Sequence, residues 1–329
     1  MVSLRRGWLG GPHVDIVAVG PGSSTWAALA RTVDAGPAPE TPLSPEDYLD
    51  RARVRGQLEN VAPPYLPLRE HGSAILLDRP AVERGHPATA RLSGVTEAVL
   101  APAVVRSIRV VADEPSRLPT VLVDVLTTVA DAHVLGAGYG TFSLRSHAEA
   151  LLANWRHRGD FRAQFVARYA AQRAAVTRRV ETILAGDGGG DVTAWRTALA
   201  YSRGVLDESV RRGELSNALV EGGVQPTPTA GPATIAEHPD TDFHRTVYRS
   251  GATGGAGEWF AAYRVLINCT YHQLPLLGVS PLQRAWGCWA VAEAVDEVLG
   301  QTWTDRLTDG PPSPQPAPSP QDLSQEPTS

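Results

Sequence analysis

The chain has 329 residues, 43% of them hydrophobic, and a formal charge of −5. That apolar content suffices for one large domain or two packed ones and excludes wholesale disorder, while the mild acidity argues against a nucleic-acid binder, which carries a basic excess. All thirty of the Lys and Arg residues are arginine, so a Walker A phosphate loop and a Schiff-base lysine are both excluded.

The two cysteines, Cys269 and Cys288, are too few for a disulfide framework or a thiolate zinc site. No apolar run reaches the ~18 to 20 residues that span a bilayer. Arg5 and Arg6 near the start are followed by no signal-peptide core. The expectation is a soluble, cytoplasmic protein with no membrane partner.

Along the chain, His13–Val19 predicts a strand ending at Gly20-Pro21-Gly22. Ser44-Pro45-Glu46-Asp47 starts a helix that runs to about Leu58: a cap, a proline in the first turn, then acids. Ser73–Asp78 reads as a short apolar strand. Residues 88–100 and 119–135 look helical, separated by the Asp113-Glu114-Pro115 break. Tyr139–Ser143 reads as strand or loop. Helices then follow over Ser146–His157, Phe161–Leu184 and Val192–Arg212, the last two parted by Gly188-Gly189-Gly190.

Residues 222–236 and Gly251–Gly257 are predicted loops, and Glu258–Leu274 and Pro281–Leu299 are strong helices. The pattern is α+β, with N-terminal strands and a largely helical C-terminal half. The expected division is one domain over 1–308 and a disordered Pro/Ser-rich tail over 309–329.

Most local motifs have bland readings. Gly20–Thr25 sits where a phosphate loop would, but it lacks the spacing and the lysine. Gly136–Gly140 is equally weak. The nine histidines include no metal-ligand spacing, so no metal is expected; His133 and His147 read as structural. Gly278-Val279-Ser280-Pro281-Leu282 fails the nucleophile-elbow pattern.

The informative stretch is 258–307. Trp259, Tyr263, Leu266, Thr270 and Gln273 share one helix face, with Phe260, Ile267, Tyr271 and Leu274 beside it. Apolar residues nearly encircle this helix, which predicts burial. It nevertheless carries Asn268, Tyr271, His272 and Gln273, which need partners or a cavity. Ser280-Pro281-Leu282-Gln283 is a capping box. In the helix it opens, Ala285, Cys288, Ala292, Val295 and Leu299 form the packing stripe, and Arg284, Trp286, Glu293, Asp296 and Glu297 lie off it, the acids read as a solvated face.

The runs Tyr263–Asn268, Gln273–Arg284 and Ala292–Gly300, with Trp303-x-x-Arg306-Leu307, resemble the C-terminal segment of thiopeptide pyridine synthases. Arg6-Gly7 with Gly11-Pro12-His13, and Phe142–His147, resemble the same superfamily more loosely. The resemblance implies a fold like the elimination domain of lanthipeptide dehydratases. It implies a formal aza-[4+2] cycloaddition of two dehydroalanines, closing a pyridine macrocycle with loss of water and leader peptide. No cofactor is implied. The implied partners are a leader-bearing, dehydrated, azole-containing precursor peptide and other thiopeptide maturation enzymes.

Under that resemblance Tyr271, His272 and Ser280 are the candidate proton donors and acceptors. Asn268, Gln273 and Arg284 would orient the substrate, and Trp259, Tyr263 and Trp286 would line its cavity. Trp286 stands where the family pattern leads one to expect tyrosine, and an indole is no acid or base. Arg51, Arg53 and Arg55, or Arg173, Arg178 and Arg179, could meet an acidic leader. Two rival readings remain: a stand-alone glutamate-elimination protein, and a non-catalytic leader-binding scaffold. Thr270–Leu274 lacks the His-x-Asn-Arg-Leu-like segment that the elimination reading would require.

Overall fold

The computed structural model describes residues 2–18, 42–59, 61–73, 87–156, 159–222, 241–250 and 257–309, with the isolated positions 27–28, 31–32 and 75. The chain opens with an antiparallel hairpin: β1 (Val2–Gly7) pairs with β2 (His13–Ala18), Val2 opposite Ala18 and Gly7 opposite His13. Gly10 and Gly11 make its turn with φ of 89° and 112°, a region that costs glycine least. The Gly10 amide donates to the Tyr48 hydroxyl at 2.7 Å, which ties the turn to α1 (Pro45–Glu59). Ser44 caps α1 as expected, its hydroxyl accepting from the Asp47 amide.

Among the described residues there follow α2 (Pro87–Asp113), α3 (Leu118–Asp131), α4 (Ala137–Trp155), α5 (Phe161–Leu184), α6 (Gly189–Arg211), α7 (Asn217–Gly222), α8 (Asp242–Arg249), α9 (Trp259–Gln273), α10 (Pro281–Leu299) and α11 (Trp303–Asp309). Among the described residues the hairpin is the whole of the sheet, so the expected N-terminal strands reduce to one pair.

Two expectations are corrected. The helix predicted over 88–100 continues through Pro102 to Asp113. Proline there removes one amide donor and crowds the carbonyl four residues back, yet the helix runs on past it. Tyr139–Ser143 is helical, inside α4. Its aromatic and β-branched residues favour strand by propensity, but tertiary packing overrides that preference. The segment Ser73–Asp78 lies largely outside the described residues, and Ser73 and Ile75 belong to no regular element. The glycine- and proline-rich runs at 20–25, 223–236 and 251–256 also lie outside them. So does the tail from 310; Asp309, placed in that tail by the sequence reading, closes α11.

Helix α3 is the axis of the body. Val121 through Ala130 are buried without interruption, the polar Asp124, Thr127 and Thr128 among them. It packs against α4, α5, α6 and α10, while α2 packs on α6, α9 and β1. Gly140 lets the α3 and α4 backbones come close: a Cβ there would lie 2.1 Å from the Ala130 carbonyl oxygen.

Charges seal the joins between helices. Asp124, within the buried run, takes two hydrogen bonds from Arg179, at 2.6 and 2.8 Å. Arg145 bridges Glu293 at 2.6 Å and Asp296 at 3.0 Å, Arg306 pairs with Asp296, and Arg173 reaches Glu297 at 2.9 Å. The acids of α10 are therefore not a solvated face. They receive arginines from α4, α5 and α11. The packing stripe is also wider than read from spacing: Trp286 is buried, whereas Leu299 is exposed.

Candidate functional site

The end of α9, the 3-10 turn Leu274–Leu277 and the start of α10 carry most of the predicted site residues. Ser280 caps α10. Its hydroxyl oxygen accepts from the Gln283 amide at 3.2 Å, and the Gln283 side chain accepts from the Ser280 amide at 2.8 Å. This reciprocal box leaves the exposed Ser280 hydroxyl with its own proton still to donate.

Tyr271 and Arg284 meet in the interior, beside His147 of α4. The Arg284 Nε donates to His147 Nε2 at 3.0 Å. Tyr271 packs on the His147 ring with centroids 4.7 Å apart, and the Arg284 guanidinium lies over the Tyr271 ring at 5.5 Å. The Cys288 thiol donates to the Tyr271 oxygen at 3.6 Å. Burial, then the Arg284 cation, push His147 down to about 3, so its imidazole is neutral and its Nε2 accepts. Burial, then the neighbouring Cys288, hold Tyr271 well above the usual phenol range. Burial pushes the Cys288 thiol up to about 12. This pole thus contains a permanent cation, a neutral imidazole and two protonated acids, and no thiolate or phenolate.

His272 points elsewhere. Its Nδ1 lies 3.2 Å from Oε1 of Glu97, on α2. Glu97 also receives Arg5 of β1, Nε to Oε1 at 3.1 Å and to Oε2 at 2.9 Å. The Glu97 side chain is 0% exposed and that of His272 54%. Burial alone would raise Glu97; the hydrogen bonds from His272 and Arg5 outweigh it and hold the carboxyl below its ordinary value. Glu97 is therefore a buried carboxylate compensated from two sides.

The aromatic candidates split in the same way. Trp259 and Tyr263 both meet His133 edge-on, with centroids 5.1 and 4.4 Å away. Tyr263 donates to the Gly140 carbonyl at 3.1 Å. Trp286 instead faces α5, with the Arg168 guanidinium 3.8 Å from its ring centre. Asn268 is exposed. Gln273 is fully enclosed, and neither atom of its amide meets a partner among the described residues.

Of the arginines considered for a leader, Arg179 is committed to Asp124, Arg173 to Glu297 and Arg53 to Asp50, and Arg55 stacks over Trp8 at 5.8 Å. Arg178 lies on the exposed side of α5, in a depression of about 510 Å³ with Ala170, Ala174 and Glu181. A larger groove of about 690 Å³ runs between α4, α5, α8 and α10, walled by Phe161, Phe243, Trp289 and Trp303. Among the described residues no three His, Cys, Asp or Glu groups are placed to hold a metal, and no helix is long and apolar enough to cross a membrane.

Sequence reasoning missed Glu97 and gave His147 only a structural role. The available signal for Glu97 was a lone acid between apolar Val95, Val99 and Leu100 on one helix.

No family model matches the chain, and no curated protein matches it by sequence. Solved structures do. A pyridine synthase, TbtD, from thiomuracin biosynthesis is 25% identical, covers 91% of this chain and 88% of its own, and superposes with a TM-score of 0.63. TsrL is 16% identical, covers 95% and 89%, and has a TM-score of 0.64. The chain has a thiopeptide-synthase-like fold.

Proposed function

We propose that this protein is a thiopeptide-biosynthesis enzyme that forms the central pyridine of a macrocycle from two dehydroalanines of a leader-bearing precursor peptide. One observation carries the reading: 25% identity to a pyridine synthase, sustained over 91% of the chain. In the same reading the fold is shared with the elimination domain of lanthipeptide dehydratases.

The chemistry asks for three things. The amide preceding one dehydroalanine must pass its N–H proton to its oxygen, giving an iminol and hence a 2-azadiene. Two carbon–carbon bonds then form to the second dehydroalanine. Finally water leaves, and the leader departs as a carboxamide while a ring C–H proton is lost. Holding both alkenes together supplies up to about 7–11 kcal/mol in the best intramolecular cases. Proton transfers add roughly 10²–10⁴-fold.

The residues suit those demands. Arg284 is a donor that never loses its charge and steadies developing negative charge on a carbonyl oxygen. Tyr271, kept protonated by burial, donates and does not abstract. Ser280 has a free hydroxyl proton at the mouth of α10. His272, with its exposed ring, is the acceptor. The groove walled by Trp289, Trp303, Phe161 and Phe243 offers flat surfaces for a peptide carrying aromatic heterocycles.

Mass spectrometry of the purified chain with a dehydrated, azole-bearing peptide carrying its leader tests this. The expected products are a free leader carboxamide and a macrocycle lighter than the precursor by that leader and one water. A precursor that binds and returns unchanged refutes the reading.

A further inference from the structure

We infer that Glu97 and His272 form a carboxylate–imidazole couple in which His272 shuttles the amide proton and Glu97 is its positioning residue. This rests on the cyclisation reading above.

The geometry has three parts. His272 Nδ1 lies 3.2 Å from Glu97 Oε1, and a carboxylate only accepts. Nδ1 must then carry the hydrogen, and Nε2 is left as the bare, basic nitrogen of the neutral ring. Glu97 is fully buried while the His272 side chain is 54% exposed. The fixed end of the couple is therefore inside, and the imidazole reaches outward. Among the described residues no group bonds Nε2. Third, Arg5 grips Glu97 through both carboxylate oxygens, which fixes the carboxylate plane and keeps the acid ionised beneath the imidazole. This is the logic of a base oriented by a third group.

The step balances at one imidazole. Nε2 takes the proton from the substrate amide nitrogen, and the resulting imidazolium returns it to the carbonyl oxygen of the same amide. The N–H bond breaks and an O–H bond forms, with no net change at His272. Glu97 holds Nδ1–H throughout and offsets the transient positive charge. Apolar packing alone would not call for a carboxylate at this depth: a buried acid costs several kcal/mol unless partnered. Arg5 alone could satisfy it as a tie between β1 and α2, so the test must separate a tie from a couple.

Side-chain ¹⁵N spectra of histidine-labelled protein at a pH where the ring is neutral read the tautomer, with the H272Q spectrum assigning the signal. The expected result is a bare Nε2 and a protonated Nδ1 in the wild type, lost in E97Q. Turnover of the dehydrated peptide should show kcat falling about 10²-fold or more in E97Q, with KM kept and the thermal midpoint within the range of R5Q. R5Q breaks the tie and loosens the carboxylate plane, but His272 still donates to Glu97, so it should keep the tautomer and lose clearly less kcat than E97Q at a comparable loss of thermal stability. A wild-type ring protonated at Nε2, or R5Q losing kcat as E97Q does, overturns the couple while cyclisation stands. A wild type with the expected tautomer that leaves the peptide unchanged overturns the shuttle together with the cyclisation reading.

Discussion

His133 makes a quantitative prediction about stability against pH. Its Nδ1 accepts from the Leu135 amide at 3.1 Å, and its ring is enclosed by Tyr263, Trp259 and Tyr139. Burial, then the Arg203 cation, lower it from 6.5 to about 3. The sign follows from where the proton goes. Between about pH 6.5 and 3 the unfolded chain takes up a proton at this residue and the folded chain does not. Stability is thus fully present above 6.5 and lost as the pH falls, by about 1.4 kcal/mol per unit. From pH 7 to pH 5 the loss is about 2 kcal/mol. His133→Gln keeps an acceptor for Leu135 and removes the titration. At pH 7 it should cost roughly 1–3 kcal/mol of ring packing. Its stability should then fall less steeply with acid than the wild type, the two curves converging by about 2 kcal/mol at pH 5. Urea denaturation at pH 7, 6 and 5 measures both. His147 acts in the same direction in both proteins, so the difference isolates His133. Parallel curves would refute the enclosure argument.

Three further outcomes follow from packing and capping. Gly140→Ala drives a methyl into the Ala130 backbone and should cost about 3 kcal/mol, whereas Gly204→Ala, with open space around its Cβ, should gain about 0.5–1 kcal/mol; calorimetry ranks them. Arg145→Met leaves Glu293 without its arginine inside the α4–α10 join and should lower stability by about 3–5 kcal/mol, read from the urea midpoint. Ser280→Ala should lose the cap and about 1 kcal/mol. Ser280→Asp should keep wild-type stability but lose turnover, because it caps without donating; full activity in that variant would assign Ser280 to the cap alone.

Local physics was legible and distant pairing was not. Phe161–Leu184 and Pro281–Leu299 were read to the residue, because a periodic face, a breaker and a cap are written within each segment. The capping box at Ser280 was visible for the same reason. What sequence could not show is which groups meet from afar. His147 and Arg284 are 137 positions apart, Glu97 and His272 are 175, and Arg145 and Glu293 are 148. Acids such as Glu293 and Asp296 look solvated until the helix supplying their arginine is known. Tyr139–Ser143 misled for another reason: its residue types favour a strand, while Gly140, which makes helix packing possible there, looks like a turn residue.

The last turn of α9 decides how the site should be dissected. An α-helix rotates about 100° per residue, so Tyr271, His272 and Gln273 cannot share a direction. Tyr271 enters the His147–Arg284–Cys288 pole, His272 goes to Glu97 and Arg5, and Gln273 is enclosed. Substitutions within one pole should therefore couple, and substitutions across poles should add. E97Q combined with H272Q should reduce kcat little further than H272Q alone, since the couple is already broken. Y271F combined with H272Q should multiply the two separate losses, because each removes a different proton from the reaction. Single-turnover rates from quenched mass spectrometry give the cycle for both pairs. Strong non-additivity between Tyr271 and His272 would mean that both act on one substrate atom, and the two-pole division of the site would have to be abandoned.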